Sequence, residues 1–212
     1  MRHFLLRTSA LIALTSALSA NAEIATACEG RTTIFEDRFT DSSGGWDTGP
    51  QYAISGGVMK INLSAERGGL GVFNSMFDFL DADVCVDFRY PTTAFELQPI
   101  VGLSFWIDGA TQYVAHVDSL GNTVVRRYVD GGWHQVALQV TDAVNRQENA
   151  PNRLRVLIRA GLITVYVNNK KVTDVRAKPP EKAERWGILA SRAKSGQEQT
   201  FTITYVKITS AD

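Results

Sequence analysis

The chain has 212 residues, 22 basic and 22 acidic side chains and only 3 His, so it is electrically neutral overall. No basic excess draws it to nucleic acid, and no acidic tail is present. Its length suits one domain once a leader is removed.

The leader is read from residues 1–22. Arg2 and Arg7 give a positive start, and a short apolar stretch runs from about Ala10 to Ala20. Ala20-Asn21-Ala22 follows as a small-x-small cleavage site, which completes the layout of a secretory signal peptide. The apolar run is too short for a membrane span, which takes about 20 residues, and no later segment is long or apolar enough for one. The mature chain is therefore expected outside the cytoplasm, secreted or periplasmic. It comprises an N-terminal segment over 23–33 and one domain over 34–212.

Two cysteines are present, Cys28 and Cys85. In an oxidising compartment a lone pair favours one disulfide. Such a bridge closes a long loop and stabilises by roughly 4 kcal/mol in the chain-entropy model. A lipidated Cys28 and two free thiols are the alternatives. Cys85 lies on the polar parity of its strand, so the bridge predicts that the N-terminal segment crosses the outer face of a sheet.

From Ile34 onward the chain alternates with period two. Val84, Val86 and Phe88 alternate with Asp83, Cys85 and Asp87. Leu103, Phe105 and Ile107 alternate with Ser104, Trp106 and Asp108. Leu154, Val156 and Ile158 alternate with arginines, and Ile163, Val165 and Val167 continue the pattern. This is the signature of half-buried strands. Turn signals punctuate the runs, among them Ser55-Gly56-Gly57, Asp130-Gly131-Gly132 and Asn168-Asn169. Residues 142–152 and 176–185 are polar connections, the second with room for a short helical turn. Many short strands without helices predict an all-β, two-sheet antiparallel sandwich.

Phe35-Glu36-Asp37-Arg38-Phe39 and Ser43-Gly44-Gly45-Trp46 resemble the opening of concanavalin A-like (laminin G-like) jelly rolls. So do the strand from Tyr52 to Ile61 and the hairpin from Tyr113 through Tyr128. Trp186-Gly187-Ile188-Leu189-Ala190 and the closing strand from Phe201 to Ile208 complete the likeness. The order is similar to a family once catalogued as a domain of unknown function and now linked to 3-keto-disaccharide hydrolases or lyases. There are two departures. Asn168-Asn169 stands where that family's hairpin reads Asn-Gly, and Thr202-Ile203-Thr204 stands where its closing strand carries Asp-Asn.

No catalytic set is expected. Glucanases of this fold resemble one another in a Glu-x-Asp-x-x-Glu strand that aims acid and nucleophile the same way. The nearest run here is Asp81 to Asp87, which lacks Glu, has the wrong spacing and reads as a solvent-facing strand. His116 and His134 carry no triad motif. There is no phosphate loop and no His or Cys cluster for zinc. No cofactor is expected, with a calcium site of loop carbonyls and Asp left open, and oligomeric state has no sequence signature here.

A binding surface remains. By alternation Trp106 and Asp108 point away from the core, with Gln112 and His116 on the next strand and Arg126 and Tyr128 on the one after. A Trp ring stacks on apolar sugar faces while polar neighbours take the hydroxyls. These six residues form the expected ligand site, with Trp46, Trp133 and Trp186 read as core or turn packing. Arg153, Arg155 and Arg159 read as a solvated strand face, with an anionic glycan as the alternative. The leading function is an exported carbohydrate- or surface-binding module without catalysis. The alternatives are a glycoside-active enzyme of the 3-keto type and a structural or partner-binding envelope protein.

Overall fold

The computed structural model describes residues 28–91, 95–194 and 196–212. The signal-peptide expectation over 1–22 lies outside them. The strands are β1 (Thr33–Asp37), β2 (Tyr52–Ser55), β3 (Val58–Leu63), β4 (Gly69–Asn74) and β5 (Ala82–Arg89). After a 3-10 turn at Phe95–Leu97 come β6 (Pro99–Ile107), β7 (Gln112–Asp118), β8 (Asn122–Val129), β9 (Gly132–Val140) and β10 (Asn152–Arg159). The last four are β11 (Leu162–Val167), β12 (Lys170–Arg176), β13 (Arg185–Arg192) and β14 (Gln199–Thr209).

They form two antiparallel sheets. One has six strands in the order β4-β13-β6-β7-β8-β9. The other has eight, in the order β12-β11-β10-β5-β14-β3-β2 with β1 alongside β14. Alternation drives the sandwich. Val84, Val86, Phe88, Leu154, Val156 and Ile158 of the larger sheet are fully buried, as are Val101, Leu103, Phe105, Ala115 and Val117 of the smaller. Each such side chain contributes roughly 1.5–3 kcal/mol by leaving water if large, less if Ala. The two inner faces share one hydrophobic core.

Local turn chemistry follows the sequence. Asn168 and Asn169 both take positive φ, 47° and 68°, which a two-residue hairpin of matching twist requires. The 177–184 connection holds no helical turn.

Cys28 and Cys85 are bonded, with Cα atoms 5.8 Å apart. From Cys28 onward the described N-terminal residues lie across the outer face of the eight-stranded sheet, as Cys85's parity requires. The Glu29 amide donates to Asp83 Oδ2 at 3.0 Å, and β1 pairs with β14.

This face is not solvated, which corrects two expectations. Asp83 and Arg155 are buried. Arg155 forks onto Asp83 through Nε and Nη2 at 2.8 and 2.9 Å. Arg153 does the same to Asp87 at 2.5 and 2.7 Å. The register explains it, since Arg155 stands opposite Cys85 and Arg153 opposite Asp87. Cross-strand neutralisation and the covering segment bury the charges. Of the three arginines only Arg159 stays exposed.

Trp106 is the third correction. It is 0% exposed and belongs to the core. On β13, Arg185 pairs with Ile107 but Gly187 pairs with Ser104, so two residues of β6 face one of β13. Such a bulge adds one residue and reverses the parity beyond it. Trp106 takes φ 51° there. Its ring packs on Phe105 and Tyr113 at 5.4 and 5.3 Å, and its indole N–H donates to the Leu80 carbonyl at 2.9 Å.

Candidate binding face

The outer face of the six-stranded sheet is built in rows by the register. Leu189, Gly102, His116, Val124 and Leu138 form one row across β13, β6, β7, β8 and β9. Ser104, Val114, Arg126 and Gln135 form the next. Gln112, Tyr128 and Trp133 form a third. The Gln112 side-chain amide donates to Ser104 Oγ at 3.1 Å and ties two rows together.

A recess of about 190 Å³ opens on this face. Ile100, Val114 and Leu189 make its aliphatic part and Ser191 adds a hydroxyl, while His116, Arg126 and Trp133 supply its polar and aromatic groups. Gly102 lies in register between two lining residues, Leu189 and His116. A Cβ on Gly102 would lie 2.8 Å from His116 Cβ and 3.0 Å from the Ala115 carbonyl. The glycine is therefore what lets His116 lie close across β6, the reason a strand interior accepts it.

Sequence alternation places Gln112, His116, Arg126 and Tyr128 on one face, and the structure brings all four there. Asp108 is elsewhere engaged. Its carboxylate accepts from the Thr111 amide at 2.6 Å, the Ala110 amide at 3.0 Å and Thr111 Oγ1 at 2.9 Å. These bonds, the Thr111 amide foremost, hold it below the usual carboxylate range and make it the cap of the β6–β7 turn. The aromatic at the site is Trp133 in place of Trp106. Trp133 is 49% exposed, and its ring packs edge-on to Tyr128 at 5.3 Å. Trp133 was read as packing, yet the two-residue Asp130-Gly131 turn carried the signal. A hairpin closed there sets Val129 against Gly132 and so Tyr128 against Trp133. Trp46 and Trp186 are core, 5.0 Å apart in an aromatic cluster.

His116 is 5% exposed, and its Nδ1 has no hydrogen-bond partner. Burial lowers its pKa to about 4, with the Arg126 charge adding to the shift and Asp118 opposing it. The imidazole is therefore neutral at pH 7, with one donor and one acceptor nitrogen. Below pH 6.5 the unfolded chain binds a proton that folded His116 refuses until about pH 4. Stability must accordingly rise with pH across that window. Urea unfolding of wild type and His116→Gln over a pH series should show it. Their difference in unfolding free energy will change by up to about 1.4 kcal/mol per pH unit in the window and level off above about pH 7.5. Parallel curves would show that His116 is not buried as described.

Among the described residues, the one group of His, Cys, Asp or Glu close enough to share an ion is Cys28, Asp83 and Cys85. Both sulfurs are in the disulfide, and Asp83 is bonded to Arg155. The carbonyls of Ser64, Ala65 and Gln197 converge on a side-chain cation, the Arg192 guanidinium.

Solved structures share this architecture. A β-glucanase of Bacillus licheniformis superposes with TM-score 0.62 at 10% identity, over 84% of this chain and 98% of that one. LamAcat from Zobellia galactanivorans gives 0.60 at 11% identity, over 84% and 98%. The carbohydrate binding module CBM66 from Bacillus subtilis gives 0.54 at 15% identity, over 73% and 95%. The protein is a concanavalin A-like jelly-roll β-sandwich. No protein-family model matches the chain. No curated protein matches it either.

Proposed function

We propose that this chain is an exported glycan-binding β-sandwich that acts without cleaving its ligand. The observation that carries the reading is the half-exposed Trp133 ring beside neutral His116 and Arg126 at the mouth of an apolar recess. An aromatic plane with a few convergent polar groups is the chemistry that holds a pyranose. The architecture supports it, being shared with a named carbohydrate binding module and with glucanases. Export is supported by the leader read from residues 1–22 and by the disulfide. No helix among the described residues is long and apolar enough to cross a membrane.

The glycoside-enzyme alternative needs two acid–base groups about 6–9 Å apart across a sugar, most often carboxylates. Among the described residues no carboxylate lines the recess, and Asp108 is held in its turn, which supports binding over cleavage. The partner-binding alternative draws on β9, an edge strand with exposed Val136, Leu138 and Val140.

Affinity electrophoresis through a panel of soluble polysaccharides separates these readings. Wild type will be retarded by at least one polymer, and Trp133→Ala will lose at least about tenfold in affinity while staying folded. Unretarded migration through the whole panel would sink the glycan-binding reading.

A further inference from the structure

We infer that the recess selects sugars bearing an oxyanion, a carboxylate or a sulfate ester, over neutral ones; this rests on the glycan-binding reading above. The chain is neutral overall, but its charge is unevenly divided between the sheets. The six strands of the smaller sheet hold four arginines, Arg126, Arg127, Arg185 and Arg192, and a single acid, Asp118.

That acid is not available to balance them. Asp118 is buried, and its oxygens accept from the Leu120 amide, the Asn122 amide and Asn122 Nδ2 at 2.8, 2.9 and 2.7 Å. Two of the arginines are already committed inside the fold. Arg192 holds backbone carbonyls, and Arg127 lies over the core residue Tyr113 at 5.7 Å. The other two serve the outer face. Arg185 lies over the Phe73 ring at 4.4 Å. Arg126 lines the recess, and no carboxylate pairs with it among the described residues. The contrast with the other sheet is direct, because Arg153 and Arg155 there each fork onto a cross-strand Asp.

The chemistry of the recess suits an anion with a sugar ring attached. A guanidinium offers parallel N–H groups that match a carboxylate or sulfate edge. The aliphatic lining of Ile100, Val114 and Leu189 offers contact to the apolar edges of the sugar beside the exposed Arg126. Trp133 supplies the plane for the ring. His116 lines the recess beside Arg126, and it is 5% exposed. As a neutral imidazole it meets a sugar hydroxyl beside the oxyanion, while Arg126 carries the positive charge.

Three polymers test this by affinity electrophoresis: polygalacturonate for the carboxylate, a sulfated galactan for the ester, and neutral laminarin. Wild type is expected to bind one anionic polymer at least about tenfold more tightly than laminarin, and the anionic arm that wins names the oxyanion. Arg126→Gln will lose that preference, and Arg126→Lys will recover part of it, with circular dichroism confirming both folds. Wild-type binding to the preferred polymer will also weaken as NaCl rises from about 50 to about 500 mM, a readout that needs no variant. Equal or tighter binding to laminarin, or an unchanged preference in Arg126→Gln, overturns oxyanion selection and leaves glycan binding standing. Failure to bind any of these or the wider panel overturns both.

Discussion

Replacing Cys28 and Cys85 together by Ala will lower the unfolding free energy by about 4 kcal/mol, measured by urea denaturation of the mature chain. The bridge spans 57 positions, and in the unfolded chain a cross-link of that length removes most of its value in loop entropy. A second loss accompanies the first. The bridge pins residues that cover a buried pair: the Glu29 amide bonds Asp83, and the Glu29 carboxylate lies 3.2 Å from Arg155 Nη2. Freed of the bridge, that segment keeps β1 and a set of largely exposed bonds to the C-terminal strand, among them Gly30 and Thr32 donating to Thr209 and Ser210 side chains and the Arg31 amide donating to Asp212. Water then reaches the Asp83–Arg155 pair. Hydrogen exchange at the Glu29 and Gly30 amides will therefore rise more than exchange in β6 or β7. A stability change below about 1 kcal/mol would show that β1 alone anchors the N-terminal segment and that the covered pair is indifferent to the bridge.

The legible part of this fold is the part that period two can describe. Val84, Val86 and Phe88 face inward with no interruption, as do Leu154, Val156 and Ile158. Their strands pair without a bulge. Cys85 between two inward residues therefore declared its face, and with it the path of the N-terminal segment. The same logic placed Gln112 and His116 correctly, and Arg126 and Tyr128 beside them. It failed at Trp106 because parity counting assumes one residue for one residue, and a bulge is a tertiary event that leaves no mark in composition. It failed differently at Arg155. Alternation told which face the side chain is on, but whether that face is wet depends on a segment over a hundred residues earlier in the chain. Trp133 was within reach, because the Asp130-Gly131 turn fixes its partner as Tyr128. What obscured it was β9 itself, polar and apolar on both parities, with Val136 as an extra residue between Gln135 and Ala137.

Trp106→Ala and Trp133→Ala should part company completely, and the first carries the larger stability effect. Trp106 is fully buried against Phe105 and Tyr113, so truncation leaves a large cavity and costs about 3–5 kcal/mol. For a domain of this size that is a fall in Tm of roughly 6–20 °C. The void will not be filled by a simple collapse. Trp106 stands on a bulge at positive φ, and the β13 register on either side of that bulge is set by Arg185–Ile107 and Gly187–Ser104 pairing. Removing the ring leaves both pairings and the space between the sheets intact. Trp133 presents the opposite case: half its surface is already in water and its main contact is the Tyr128 ring, so its loss will cost stability by less than about 1 kcal/mol. Measured below its lowered Tm, Trp106→Ala will still be retarded by the polysaccharide that wild type binds, whereas stable Trp133→Ala will not. If instead Trp106→Ala kept its Tm and lost binding, the bulge would be misplaced and the outward parity of Trp106 restored. The expected pattern, with stability lost at Trp106 and binding lost at Trp133, identifies the β8–β9 hairpin rather than the end of β6 as the element that carries the sugar platform.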